Sequence, residues 1–158
     1  MNKEHHYKLL TKWQGNKGSG TSGLRDYDRS HTVSIANKPD LYLTTDNPAV
    51  GDKTKLNPED LLVTAISSCH MLSYLYVCAS EGVIVTDYID NATGVMIENE
   101  QGGGQFKEVI LNPVVTVTDK TMIEKAMALH HKAHEICYIA NSVNFPVENN
   151  ATCVALKE

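Results

Sequence analysis

Four cysteines carry the chemistry that this sequence could perform: Cys69, Cys78, Cys137 and Cys153. Cys69 lies in the stretch AISSCHMLSYLYVC, whose Ala and Ser residues leave space for another group to approach the sulfur. Cys137 comes late in a predicted helix and precedes the loop-forming ANSVNFP, so local unwinding could bring it to a partner thiol. Cys78 lies in bulk apolar sequence and Cys153 in the predicted terminal strand, and both are interpreted as packing residues. Packing is also the ordinary role of a buried free cysteine, Cys69 included.

The number and spacing of the cysteines argue against structural disulfides. They are few and widely spaced, no CxxC pair occurs, and the N-terminal MNKEHHYKLL lacks the apolar core of an export signal. The expected location is therefore the cytoplasm, where thiols are more often catalytic, metal-binding or inert than paired. The net charge of -5 gives no general attraction to nucleic acid. No continuous apolar run reaches the roughly 18 residues of a membrane span, so neither nucleic acid nor membrane is predicted as a partner.

Histidines form a second group of reactive side chains. His130, His134 and Cys137 recur at i, i+4 and i+7 on one predicted helical face, a spacing that can seat a transition metal. No ligand-rich segment offers a fourth ligand, so we favour a solvated His-rich face and predict no metal and no organic cofactor. His70 directly follows Cys69 but points about 100° away around a helix, so it is not assigned as the base of that thiol.

Two helices are predicted to position these residues. The first begins at Asn57, a capping residue followed by Pro58 and two acids, and it runs to about Glu81 with Gly82 just beyond. Its remaining surface is also largely apolar, which is typical of a central, buried helix. Its predicted apolar stripe consists of Leu62, Ala65, Cys69, Leu72, Tyr76 and Ala79.

The other elements are predicted from turn signals and from apolar periodicity. Asp119 is predicted to cap the second helix, KTMIEKAMALHHKAHEICYI. Strands are predicted in YKLLTKW, HTVSIA and LYLTT, in GVIVTDYIDNATGVMIE and FKEVILNPVVTVT, and in ATCVALK, whereas NSVNFPVENN is predicted to be a loop. The order β-β-β-α-β-β-α-β indicates an α+β fold, and the length indicates a single domain over residues 1–158.

Two segments, LNPEDLLVTAISSCHMLSYL and HEICYIANSVNFPV, together resemble the OsmC/Ohr family of thiol peroxidases. Members carry an N-P-E-x-L helix start, a reactive Cys ten residues after that Glu, and a second Cys late in the chain. Glu59, Cys69 and Cys137 occupy these positions here, and Tyr138 stands where the family often has Pro. The resemblance implies an OsmC-like fold with antiparallel sheets packed on two main helices, in an intertwined homodimer.

The resemblance also implies a peroxiredoxin-like enzyme of the oxidative stress response, with an organic hydroperoxide as substrate. Cys69 would form a sulfenic acid, and Cys137 would condense with it to a disulfide. A dithiol, for example a lipoylated protein, would then reduce that disulfide. Family members support the thiolate with an Arg held by the Glu of the helix start. The candidates are Arg25 and Arg29 in LRDYDRSH, and we favour Arg29 because it directly precedes the strand HTVSI.

The position of Glu59 leaves two arrangements open. Ten residues of straight helix separate Glu59 from Cys69 by about 15 Å, so the two side chains of one chain cannot touch. Either the Arg bridges from afar, or Glu59 serves the site of a second subunit; an acid in the first turn also stabilises the helix by itself. Two other functions stay open: a small-molecule or metal-binding protein of this fold with idle thiols, and a redox sensor that uses the same cysteine pair.

Overall fold

The structure, a computed structural model, describes residues 3–156. In this range the chain forms nine strands and two α-helices, which confirms the predicted α+β class. Contacts cluster into two compact units, one up to Leu61 and one from Leu62 onward. The single domain predicted over residues 1–158 stays a prediction.

The first unit contains one antiparallel sheet. The sequence predicted its three strands, which are β1 (Leu10–Trp13), β2 (His31–Ser34) and β3 (Leu41–Leu43), and in the sheet they lie in that order. Trp13 pairs with His31 across the first two strands. The indole N–H of Trp13 donates to the carbonyl of Asp28 at 2.8 Å, and this bond closes the glycine-rich loop between β1 and β2.

Helix α1 (Pro58–Ser80) begins and ends where the sequence predicted. Asn57 Oδ1 accepts the backbone N–H of Asp60 at 2.7 Å, and the Asp60 carboxylate accepts the N–H of Asn57 at 3.1 Å, so the two residues cap the helix reciprocally. Gly82 follows the last turn with a φ of 75°, a conformation that glycine adopts without steric cost.

The buried face of α1 is not the predicted one. Leu72 and Tyr76 of the predicted stripe are 61% and 69% exposed. The predicted apolar stripe was wrong because α1 is apolar on most sides. The sequence pattern alone therefore did not show which side of the helix packs against the sheets. The residues of α1 that are buried are Ile66, His70, Tyr74, Val77 and Cys78.

By length and composition, α1 could also cross a membrane. The sequence has no unbroken apolar run of about 18 residues. The 23-residue helix nevertheless contains an 18-residue window with a mean hydropathy of 1.5. This measure is weak evidence, because a core helix of a soluble protein passes the same test. Ile66 and Tyr74 pack into the two cores of the protein, and such packing accounts for part of the apolar composition, since 28% of the window is buried.

The second unit contains two three-stranded sheets, ordered β4-β7-β9 and β5-β6-β8. These strands are β4 (Val85–Asp90), β5 (Thr93–Glu98), β6 (Gly104–Leu111), β7 (Pro113–Val117), β8 (Val147–Asn149) and β9 (Thr152–Ala155). The pairs β4/β7 and β5/β6 are antiparallel as expected, whereas β6/β8 and β7/β9 are parallel. The prediction of a loop for NSVNFPVENN was wrong at β8. These three residues carry no strand pattern of their own and become a strand because they pair with the edge of β6.

Helix α2 (Ile123–Ile136) follows a single 3₁₀ turn, Lys120–Met122. Asp119 caps that turn by accepting the N–H of Thr121 at 2.7 Å, as predicted. The helix ends three residues before the predicted Ile139, because Cys137 adopts an extended conformation with φ of -75° and ψ of 105°. The predicted stripe is confirmed at its centre, where the buried residues are Ala126, Leu129 and Ala133.

Two apolar cores flank the middle of α1. Tyr74 and Val77 pack with β7 and α2 in one core. Ile66 packs with Val109 and Leu111 of β6 in the other. Cys69 lies on the helix between Ile66 and Tyr74. The packing of these two residues therefore fixes the position of Cys69 relative to the sheets.

Candidate active site

The structure places the thiols of Cys69 and Cys137 next to one another, close enough for Cys69 to raise the pKa of Cys137. Cys69 is half-buried on α1, whereas Cys137 is fully buried at the end of α2, and both are free. Burial, and after it the neighbouring Cys69 thiol, raise the pKa of Cys137 to about 11. Cys137 therefore keeps its proton at neutral pH, and the more accessible sulfur is that of Cys69. The local unwinding that the sequence suggested is not needed for the two sulfurs to meet.

Cys137 is held by the way in which α2 ends. Its N–H donates to the carbonyl of His134 at 3.2 Å. Its own carbonyl accepts the backbone N–H of Asn141 at 3.1 Å and the side-chain amide of Asn141 at 3.0 Å. The backbone N–H groups of Ile139 and Ala140 point at the sulfur and oppose the rise of the Cys137 pKa. The turn after α2 thus holds the Cys137 backbone, and with it the buried thiol, in place.

A side-chain hydrogen bond to β4 anchors α1 close to Cys69. The hydroxyl of Ser67 donates to one carboxylate oxygen of Asp90. The other oxygen of Asp90 accepts the N–H of Asn112 at 2.8 Å. The sequence marked Ser67 only as a small neighbour of Cys69, and its role as an anchor depends on a strand that lies more than twenty residues away.

Cys78 and Cys153 lie in the core that α1, α2 and the sheet β4-β7-β9 enclose. Cys78 is 1% exposed, and burial raises its pKa. Burial also raises the pKa of Cys153. Both thiols therefore stay protonated and fill space, in keeping with the packing role that the sequence suggested.

A buried polar cluster occupies the space between α1, α2 and β8. His70 Nε2 lies 3.1 Å from His130 Nδ1 and 2.8 Å from Asn149 Nδ2. The ring of Tyr74 stacks on that of His130 with 3.9 Å between centroids. Burial lowers the pKa of both histidines to about 4, so both are neutral at pH 7.

The solvated His-rich face that the sequence favoured is wrong for His130, which is 6% exposed. His130 lies beside the buried stripe of α2, and its position next to Leu129 and four residues after Ala126 could have indicated burial. No cluster of three or more His, Cys, Asp or Glu side chains within residues 3–156 is arranged to hold a metal ion.

The candidate supporting residues, Arg25, Arg29 and Glu59, belong to the first unit. Arg29 donates to the carbonyls of Tyr27 and Leu24, at 2.7 Å each, and stacks on the Tyr27 ring at 3.9 Å. Arg25 is exposed. One buried carboxylate oxygen of Glu59 has no hydrogen-bond partner among the described residues, so it can still accept a donor. That any of the three supports the thiols stays a prediction.

Comparison with known proteins shows which family and which solved structures this chain resembles. Residues 51–150 match the model of a family described as OsmC-like protein. An OsmC-like protein of unknown function from Vibrio cholerae is similar in structure, with a TM-score of 0.83, 28% identity, and coverage of 94% of this chain and 99% of that one.

Two solved structures with lower identity share the fold. An organic hydroperoxide resistance protein from Elizabethkingia anophelis has a TM-score of 0.69 and 20% identity, and 99% of this chain and 100% of that one are covered. One from Legionella pneumophila has a TM-score of 0.64 and 18% identity, and 95% and 98% are covered. A search of curated protein sequences found no match.

Proposed function

The chain belongs to the OsmC-like protein family, and from this premise we propose that it is a cysteine-based thiol peroxidase that reduces organic hydroperoxides through Cys69. The observation that carries the proposal is that a half-buried thiol, Cys69, and a buried, protonated one, Cys137, lie next to one another. A reducing compartment such as the cytoplasm would keep both thiols free between turnovers.

The chemistry proceeds in two steps on these sulfurs. The Cys69 thiolate attacks the terminal oxygen of R–O–OH, the O–O bond breaks, and the alcohol R–OH leaves after taking up a proton. Cys69 is then a sulfenic acid. The Cys137 sulfur attacks the Cys69 sulfur and loses its proton, a disulfide forms, and water leaves. A dithiol returns two electrons and two protons by thiol–disulfide exchange. The apolar surroundings of Cys69 favour an alkyl peroxide over hydrogen peroxide.

A guanidinium would assist the first step. It is always charged, stabilises the thiolate, and polarises the O–O bond as negative charge develops on the leaving oxygen. We assign this role to Arg29 or Arg25, with the free acceptor oxygen of Glu59 as the group that orients the cation. Arg29 already uses two N–H groups on its own loop, which leaves its other donors for a carboxylate.

The test of this function compares wild-type protein with Cys137→Ser in an assay with an alkyl hydroperoxide and a dithiol. Wild-type protein should consume many equivalents of peroxide. Cys137→Ser should react once, and mass spectrometry should find sulfenic or over-oxidised Cys69 without the intramolecular disulfide. If wild-type protein stops after one equivalent, it is a redox sensor or a binding protein. A native Cys69–Cys78 disulfide would instead assign the resolving role to Cys78.

A second copy of the chain would complete the site. Leu72 and Tyr76 leave an apolar strip of α1 exposed, which a partner subunit can cover. Glu59 lies about 15 Å along α1 from Cys69 of its own chain, too far for contact. We therefore propose a homodimer in which Glu59 of one chain acts on the Arg that supports Cys69 of the other.

Subunit mixing tests the shared site. Cys69→Ser chains supply an intact Glu59, and Glu59→Ala chains supply an intact Cys69, so each mixed dimer would contain one intact site and one doubly damaged site. After subunit exchange at equal amounts, activity should approach about one quarter of the wild-type value and exceed the average of the parents. Light scattering verifies the dimer. A monomer in solution, or a mixture that averages its parents, would favour an Arg bridge within one chain.

A further inference from the structure

The side-chain amide of Asn149 has a fixed orientation. Its Oδ1 accepts the backbone N–H of Ala151 at 3.0 Å. Because Oδ1 is used in this way, the NH₂ group must face the two histidines, and it lies 2.8 Å from His70 Nε2. An amide nitrogen can only donate, so His70 Nε2 is the acceptor and His70 carries its proton on Nδ1.

This orientation also determines the proton on His130. His130 Nδ1 lies 3.1 Å from His70 Nε2, and two bare imidazole nitrogens at that distance would repel each other. Asn149 Nδ2 also lies 3.4 Å from His130 Nδ1, the longest of the three separations in the cluster. Since Asn149 makes His70 Nε2 an acceptor, the proton must lie on His130 Nδ1, and this N–H shares the single lone pair of His70 Nε2 with the Asn149 amide. His70 Nε2 is therefore the centre of the cluster, with one donor from α2 and one from β8.

The cluster leaves two buried nitrogens without a hydrogen-bond partner among the described residues. They are His70 Nδ1 and His130 Nε2, the atoms on the far side of each ring. Buried polar atoms in this state destabilise a fold, and a pair of well-packed apolar side chains would avoid the cost. Such an arrangement calls for a role other than stability.

We propose that Asn149 is a positioning residue, which fixes the tautomers of His70 and His130 and thereby ties α1 to α2 at the spacing that keeps the Cys69 and Cys137 thiols next to one another. The two histidines flank the thiols along the chain: His70 directly follows Cys69 on α1, and His130 precedes Cys137 by seven residues on α2. The proposal concerns thiol geometry and extends the proposed peroxidase function, on which its biological use rests.

The charged and titratable groups around the cluster leave it neutral near pH 7. From β4, the Asp90 carboxylate favours a charged His70, whereas His134 of α2 opposes it. The Tyr74 ring of α1 covers His130. Burial outweighs these effects on both imidazoles, so a neutral donor, the Asn149 amide, is the partner that they require.

The first experiment uses the wild-type protein. Nitrogen-15 NMR of the imidazoles at pH 7 should show both His70 and His130 protonated on Nδ1 and bare on Nε2. A His70 protonated on Nε2 would overturn the proposal without any variant, because it would exclude donation from Asn149.

The second experiment replaces Asn149→Asp, which turns a donor into an acceptor of nearly the same shape. His70 must then present a proton from Nε2, and its bond from His130 is lost. The readout is the rate at which diamide forms the Cys69–Cys137 disulfide: the two thiols lose two electrons and two protons, and diamide takes them up as the hydrazine. We expect this rate to fall at least about tenfold, together with a changed His70 spectrum, because small displacements of reacting groups have large effects.

The matched control is Asn150→Asp, which adds the same charge one residue further along at an exposed side chain. It should leave both the spectrum and the rate at wild-type values. An unchanged disulfide rate in a folded Asn149→Asp protein would overturn the positioning role. Because diamide needs no peroxidase activity, rapid disulfide formation in a wild-type protein that does not reduce peroxide would contradict the proposed function and leave the positioning role intact.

Discussion

Replacement of Cys69 by Ser should abolish hydroperoxide reduction. A serine hydroxyl is a far weaker nucleophile than a thiolate, and no second sulfur replaces it, because Cys137 is fully buried and has a pKa raised to about 11. We expect a loss of at least about 10³-fold in kcat/KM, or about 4 kcal/mol of transition-state stabilisation. The measurement is a steady-state assay with an alkyl hydroperoxide and a dithiol.

The controls are the two packing cysteines. Cys153→Ser and Cys78→Ala should keep most of the activity, because burial raises the pKa of both thiols and neither sulfur is assigned a role in the reaction. Cys78→Ala removes a sulfur from the core and should lower the free energy of unfolding by about 1–2 kcal/mol. Full peroxidase activity in Cys69→Ser would end the proposal that Cys69 is the peroxidatic residue.

Local signals in the sequence were sufficient for most of the fold. The Asn57 cap, the glycine after α1 and the Asp119 cap are interactions between near neighbours, and the sequence predicted them, whereas the return bond from Asn57 to Asp60 was seen only in the structure. β8 was missed because its three residues are held by pairing with β6, a partner distant in sequence. The buried face of α1 was misjudged for a related reason: an evenly apolar helix is oriented by what it packs against.

The candidate site was predictable to a smaller extent. The resemblance to a family singled out Cys69 and Cys137, and the structure places these thiols next to one another. The polar cluster could not be predicted, because His70 is 60 residues from His130 and 79 from Asn149 along the chain. The sequence around an isolated His on an apolar helix does not indicate which distant amide it will bind. Only the packing of α1, α2 and β8 brings these three side chains together.

The histidine cluster should make the protein less stable as the pH falls from 7 to 4.5. Burial lowers the pKa of His70 and His130 from 6.5 to about 4, so in this range the unfolded chain binds protons that the folded chain does not. The contribution of the two neutral histidines to the free energy of unfolding is therefore fully present above pH 6.5. It is lost progressively as the pH falls to 4. For the two histidines together we expect a decrease of roughly 5 kcal/mol in the free energy of unfolding, a large share of the total for a domain of this size.

Urea unfolding at pH 7.0, 6.0, 5.0 and 4.5 measures this effect within a suitable window. Hydrogen bonds lower the pKa of Asp52, Glu81 and Asp119, and the stability that these carboxyls lose near the acid end is the same in the wild-type protein and in the histidine variant. A His70→Asn, His130→Gln double variant should flatten the profile, because the groups that resist protonation are gone. His131→Gln removes an exposed histidine next to His130 and should keep the wild-type slope. If wild-type stability were constant from pH 7 to 4.5, or if the double variant kept the slope, the histidines would not be the buried neutral pair described, and the acid sensitivity of the fold would have another origin.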